Sequence, residues 1–217
     1  MFLMIGSRPD ICYAISYLSR FQDKATDEHW TCLKRVLRYV KGTTNYGLVY
    51  RRSRSPLLEG FCDADWANDT SDRKSTSGYL FKVAGNVVSW NSKKQSIVVT
   101  SSTEAEFISA VEATKEAIWF SKVFTDLQLK VERPIPLYED NMASIYMSKN
   151  PETKRMKHID VKFHYLRERV WDGNVKLVKV PTTDQLADCL TKRLDRVLFQ
   201  KFRQQLGINC GGVSANK

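Results

Sequence analysis

The chain has 217 residues, 42% of them apolar and 11% aromatic, enough to bury a core as one domain or as one domain with a partial second. Its 34 Lys and Arg against 24 Asp and Glu give a formal net charge of +10, which suits a polyanionic partner. Nucleic acid ranks ahead of a membrane surface, because no basic amphipathic stretch adjoins a long apolar one. Five scattered cysteines without a CxxC pair argue against a zinc site or a disulfide framework and for a reducing compartment.

At the start, "MFLMI" is too short for a membrane span and has no basic segment before it, so no signal peptide is expected. "DICYAISYLSRF" reads as a short helix, and "ATDEHWTCLKRVLRYVKG" as a longer one capped by Thr26 or Asp27 and ended by Gly42. Trp30, Leu33, Leu37 and Val40 form its apolar stripe, expected to pack in a core or against another domain, with Lys34, Arg35, Arg38 and Lys41 around the other side. The turn-like "KGTTNYG" and basic "YRRSRSP" place a boundary near residue 55. Three strands follow in "LLEGFCDADW", "GYLFKVAG" and "NVVSWNSKK", the last two joined through Gly85-Asn86.

"SSTEAEFISAVEATKEAIWFSKVFTDL" is a long helix opened by Ser101, Ser102 or Thr103. "IPLYED" reads as a buried strand, "NMASIYMSK" as a short helix and "HIDVKFHYLRERVW" as a longer one. "NVKLVKVP" is a strand, and "TDQLADCLTKRL" a helix opened by Thr183 or Asp184. This order predicts a mixed α/β layer fold that starts with antiparallel strands and adds later ones across helical connections. Only "GGVSANK" reads as disordered.

"GFCDADWAND" puts Asp63, Asp65 and Asp69 beside Phe61 and Trp66, which in isolation suits an acidic surface loop. Asp140 ends another strand, at the same sheet edge as Asp63. Glu106 shares its helical face with Ala110, Ala113 and Ala117, whereas Glu104 is turned away. Asp188 sits among Leu186, Ala187 and Leu190. Four converging acids repel one another unless cations lie between them. Oxygen ligands without His or Cys favour Mg²⁺ or Mn²⁺, and two such ions make a phosphodiester hydrolase. Trp90, Tyr138 and Trp171 on a basic surface are expected to add affinity for nucleic acid.

"GFCDADW", "DRKSTSGYLF", "SSTEAEF", "YEDNMASI", "KHIDVKFHYLRE" and "DQLADCLTK" together resemble the ribonuclease H domain of copia-type retrotransposon Pol polyproteins. "RPDICYAISYLSRF" and "HWTCLKRVLRYVKGT" resemble the segment that joins the reverse transcriptase to it. The resemblance implies a ribonuclease H-like fold, with a mixed five-stranded sheet flanked by helices. It also implies the acid order Asp, Glu, Asp, Asp at Asp63, Glu106, Asp140 and Asp188, as catalytic residues and as ligands of two Mg²⁺ (or Mn²⁺) ions. Asp65 is then a neighbour that tunes the field or meets solvent.

Residues 1–55 become a helical reverse-transcriptase remnant, 56–206 the ribonuclease H-like domain and 207–217 a disordered tail. The implied partners are an RNA-DNA hybrid and the polymerase domain of the same polyprotein, with no membrane. The implied setting is a cytoplasmic virus-like particle, or the nucleus. An integrase or transposase shares the metal chemistry but orders its acids Asp, Asp, Glu. A non-catalytic nucleic-acid-binding or tethering fragment is the remaining reading. His158 either meets phosphate or belongs to a solvated basic face, His164 packs or caps, and His29 lies at the surface.

Overall fold

A computed structural model describes residues 1–53, 55–150 and 160–210. The helices are α1 (Phe2–Gly6), α2 (Cys12–Leu18), α3 (Asp27–Lys41), α4 (Ser102–Asp126), α5 (Met142–Lys149), α6 (Asp160–Trp171) and α7 (Arg196–Gln205). The strands are β1 (Tyr46–Leu48), β2 (Leu58–Asp65), β3 (Thr76–Val83), β4 (Asn86–Lys94), β5 (Ile135–Glu139), β6 (Val175–Lys179) and β7 (Ile208–Cys210).

Strands β2, β3 and β4 form an antiparallel meander, and β5 and β6 add parallel on the other side of β2. The resulting order is β4-β3-β2-β5-β6. This is the mixed five-stranded sheet flanked by helices that the ribonuclease H-like reading expects. Strand β2 is buried along nearly its whole length because both faces of the sheet are covered, so its alternation separates two cores and not core from water. Cys62 and Phe81 face the core under α4, α5 and α6, while Phe61 and Leu80 face a second core with Leu190 and Phe202. Each fully buried Phe or Leu contributes roughly 2 kcal/mol.

The β3–β4 turn is centred on Ala84 and Gly85, with φ of 46° and 77°, one residue before the Gly85-Asn86 pair expected. A two-residue turn with both φ positive matches the twist of the strands it joins, and glycine adopts that conformation without strain.

Residues 1–48 close the second face of the sheet. Met4, Ile11 and Cys12 are buried in the second core. Arg8 and Asp10 are also buried and pair through Nη2 and Oδ2 at 2.9 Å. Arg8 Nη1 donates to the Thr43 carbonyl at 3.0 Å, and the Tyr39 hydroxyl donates to Asp10 at 2.6 Å. Those bonds set the rotation of α3. Val36, Tyr39 and Val40 therefore pack on the second core, and Trp30 and Leu37 stay more than half exposed. The expected stripe of Trp30, Leu33, Leu37 and Val40 thus shares only Val40 with the packed face.

Several elements differ from the sequence-based expectation. Tyr46–Leu48 and Ile208–Cys210 form a small antiparallel sheet, so residues 208–210 are strand and not tail. Its strands are three residues long, below the length at which an alternating pattern can be read. Residues 211–217 lie outside the described residues. The expected helix around "TDQLADCLTKRL" is instead two 3-10 turns, Thr182–Asp184 and Leu186–Leu190, and α7 follows with Asp195 as its cap. Among the described residues, no helix is long and apolar enough to cross a membrane.

Candidate active site

The carboxylates expected to converge are carried by four separate elements at one end of the sheet. Asp63 is near the end of β2, 1% exposed, and lies opposite Gly78 of β3. A Cβ at Gly78 would come within 2.8 Å of Leu190 Cβ and Thr191 Cγ2, so this glycine lets the 186–190 turn rest directly on the strand. The Thr191 hydroxyl thereby reaches Asp63 Oδ2 and donates to it.

On the opposite face, the Ser109 hydroxyl of α4 lies 2.7 Å from the Asp63 carbonyl and 3.1 Å from that of Gly78, pinning the helix across β2 and β3. One turn earlier, Glu106 Oε2 accepts from the Ala64 N–H at 2.7 Å. Ala110, Ala113 and Ala117 are fully buried below it, as the small-residue stripe requires for close helix–sheet approach. Glu104 points elsewhere and accepts from the Thr100 N–H at 2.7 Å and its hydroxyl at 2.9 Å, which makes it part of the α4 cap.

Beyond Phe61 and Tyr138, strands β2 and β5 lose their pairing register. The fully buried Gln185 fills the gap, its Nε2 donating to the Cys62 carbonyl at 2.9 Å and the Tyr138 carbonyl at 3.3 Å. One amide thus fixes the spacing between the strand ends that carry Asp63 and Asp140. Asp140 accepts from the Thr182 hydroxyl at 2.8 Å. Asp63, Glu106 and Asp140 each offer an oxygen within 4.8 Å of the others. Asp188 stands beside this triad, its Oδ1 3.0 Å from the Lys192 ammonium, which is 3.9 Å from Asp63 Oδ2.

Burial, with help from neighbouring carboxylates, raises the proton affinity of Asp63, Glu106 and Asp188. Burial lifts Asp63 despite Lys192 and Thr191, and Glu106 is pushed well up by burial and by Glu139 and Asp63. Burial and Asp63 raise Asp188 to about 7. Burial opposes the charge on Lys192, but Asp63 and Asp188 outweigh it and raise its pKa.

Glu139, which the sequence reading missed, is fully buried and raised to about 8, chiefly by burial. The signal was present: Ile135, Leu137 and Glu139 alternate inward along β5, putting an acid in core phase. Gln185, Thr191 and Lys192 were also missed, because their roles depend on the 3-10 turns that replaced the expected helix.

The donor set fits a hard divalent cation. It offers oxygen alone, and burial together with Glu139 holds the adjacent Cys62 thiol protonated, so no thiolate competes. Two aromatics expected to meet nucleic acid are structural: Trp90 Nε1 donates to the Met4 carbonyl at 2.8 Å, and Tyr138 packs on Phe61 at 4.7 Å. Trp171 is 86% exposed. His29 caps α3 with Thr26, and His158 lies outside the described residues.

The Pol polyprotein of transposon RE2 from Arabidopsis thaliana, named as retrovirus-related, is 43% identical over 213 residues, or 95% of this chain. The chain belongs to the copia-type Pol polyprotein family. It spans 15% of the length of that polyprotein. The secreted RxLR effector protein 161 of Plasmopara viticola is 50% identical over 121 residues, 56% of this chain and 85% of its own. That match is shorter than the stretch from Asp63 to Asp188 and cannot contain all four acids. The crystal structure of LC11-RNase H1 in complex with an RNA/DNA hybrid aligns with 62% of this chain and 93% of that one, at 14% identity and a TM-score of 0.48. No protein-family model matches the chain.

Proposed function

We propose that this Pol segment is a ribonuclease H that hydrolyses the RNA strand of RNA-DNA hybrids during reverse transcription. The observation that carries the reading is the closure of Asp63, Glu106 and Asp140 within 4.8 Å, inside a protein of net charge +10. Such a cluster in a basic chain is arranged for cations in its centre and a polyanion around it.

Asp63, Glu106, Asp140 and Asp188 would hold two Mg²⁺ ions, or Mn²⁺ in their place. Bound there, such a pair activates water and stabilises the leaving oxygen of a phosphodiester. The chain's own groups do the positioning. Gln185 sets the distance between the strands carrying Asp63 and Asp140, and Ser109 and the Ala64 N–H fix Glu106. Lys192 places a cation beside Asp188 and Asp63, where it can meet a phosphate of the cleaved strand.

In this reading residues 1–55 are the end of the reverse transcriptase and residues 56–206 the ribonuclease H part. The polymerase domain of the same polyprotein is the protein partner, and the setting is a cytoplasmic particle or the nucleus. The test is Mg²⁺-dependent cleavage of a labelled RNA-DNA hybrid beside double-stranded DNA and double-stranded RNA. Cleavage confined to the RNA of the hybrid is expected. A folded chain that binds the hybrid and never cuts it would instead establish a binding or tethering module.

A further inference from the structure

A second feature adjoins the carboxylates. A groove of about 350 Å³ runs between α2, α3 and the segment after the 186–190 turn, lined by Tyr13, Tyr17, Arg35, Lys192, Arg193 and Phe199. It begins at the site itself, because Lys192 reaches Asp63 and Asp188 from its wall. Tyr13 is within the electrostatic reach of Asp65, which helps burial to raise its phenol while Arg193 and Arg20 oppose.

Along the groove Tyr13 and Tyr17 lie with ring centroids 6.1 Å apart. The guanidinium carbons of Arg193 and Arg20 each sit 5.7 Å from the Tyr17 ring. The acid in the wall, Asp10, is buried and already paired with Arg8, so the accessible charge comes from Arg35, Lys192 and Arg193. Aromatic faces interleaved with cations, continuous with a cluster suited to phosphodiester chemistry, match the sugar-phosphate backbone of a nucleic acid.

Resting on the ribonuclease H reading above, we propose that this groove seats the backbone of one hybrid strand next to the cleaved position. Arg35 and Arg193 pair with its phosphates, and Tyr13 and Tyr17 lie against its sugars. The segment preceding the ribonuclease H part would then be half of the substrate track and not merely a connection.

The experiment measures hybrid affinity of the full chain against salt in EDTA, and Mg²⁺-dependent cleavage separately. Arg35→Gln combined with Arg193→Gln should weaken binding about tenfold and flatten the log–log salt slope by roughly 2, one for each phosphate no longer neutralised. In cleavage the same pair should raise KM and leave kcat near wild type. Both residues are exposed, so the fold should survive, which circular dichroism checks. Arg193→Lys keeps the charge and should restore the slope. Lys130→Gln, beyond the far end of the 25-residue α4, should change nothing. Wild-type affinity and salt slope in the double variant would overturn the proposal. A wild-type chain that cuts no hybrid would overturn the ribonuclease H reading instead, whatever the groove variants bind.

Discussion

Asp63 and Asp69 are six residues apart in one stretch, both nearly inaccessible at 1% and 6% exposure, yet their carboxyl groups shift in opposite directions. Burial opposes the charge on both. At Asp69 it is outweighed by Lys94 at 2.5 Å and by the Ser71 hydroxyl and N–H, which hold the carboxyl well below its ordinary range, and Arg20 approaches at 3.6 Å. At Asp63 burial wins, because Thr191 and the more distant Lys192 compete with Asp140 and Asp65. Asp10 is likewise met by its own partners, accepting from the Arg8 guanidinium and the Tyr39 hydroxyl. The chain can therefore pair a buried carboxylate when the purpose is architecture. Among the described residues, the one ion pair to Asp63, Glu106 or Glu139 is with Lys192, 3.9 Å from Asp63 Oδ2, and this shortage of buried countercharge marks the cluster as built for charge from outside.

The largest expected effect separates these two kinds of acid. Asp63→Asn or Asp140→Asn should lower hybrid cleavage by about a thousandfold or more with binding retained, because the charge removed is the one that stabilises the reaction. Asp69→Asn should leave cleavage within a few-fold of wild type. Its stability cost should be about 1–2 kcal/mol, since Lys94 is partly solvated and keeps Asp72 at 2.9 Å. Equal losses of activity in Asp63→Asn and Asp69→Asn would erase the distinction.

Breaking a paired site should cost stability and not chemistry. Arg8→Ala leaves Asp10 buried without its cation, and denaturant unfolding should record a loss of about 3–5 kcal/mol. An unchanged midpoint would mean that the N-terminal segment is not held to the sheet by this pair.

The expected pH dependence has a definite sign. The native Glu139 carboxyl keeps its proton up to about 8, whereas its ordinary value is 4.5, so the folded state binds the extra proton between these limits. The stability this provides is fully present below 4.5 and is lost as pH rises towards 8; Asp188, raised from 3.8 to about 7, acts in the same direction. Metal-free protein should thus lose on the order of 5 °C in Tm between mildly acidic and mildly alkaline buffer. A Tm that rises over that interval would contradict the shifts.

The smallest effect concerns the two glutamates of "STEAEF". Glu104→Gln should cost up to about 1 kcal/mol through the cap and keep most activity, while Glu106→Gln should lose it. The opposite result in paired melting and cleavage assays would reverse the roles.

Much of this was legible beforehand, for identifiable reasons. The helical phase of Glu106 followed from the alanines at 110, 113 and 117, and the strand positions of Asp63 and Asp140 from apolar runs bounded by turn residues. What stayed hidden depended on tertiary packing. The helical pattern of "TDQLADCLTKRL" gave way to 3-10 turns, where Gln185 bridges two strand ends and the segment lies against Gly78. The face of α3 that packs was decided by Tyr39 bonding to Asp10, one step around the helix from the more apolar stripe. Glu139 stayed hidden beside Asp140, although the alternation of β5 turns it inward.

The most direct test of the carboxylate cluster is the change in Tm when saturating Mg²⁺ replaces EDTA near pH 8, in wild type, Asp63→Asn and Asp69→Asn. Mg²⁺ should raise the Tm of wild type and Asp69→Asn by several degrees. Asp63→Asn, relieved of repulsion, should start higher in EDTA and gain little. The same gain in Asp63→Asn as in wild type, or none in any of the three, would contradict the assignment of Asp63, Glu106, Asp140 and Asp188 as a cation site.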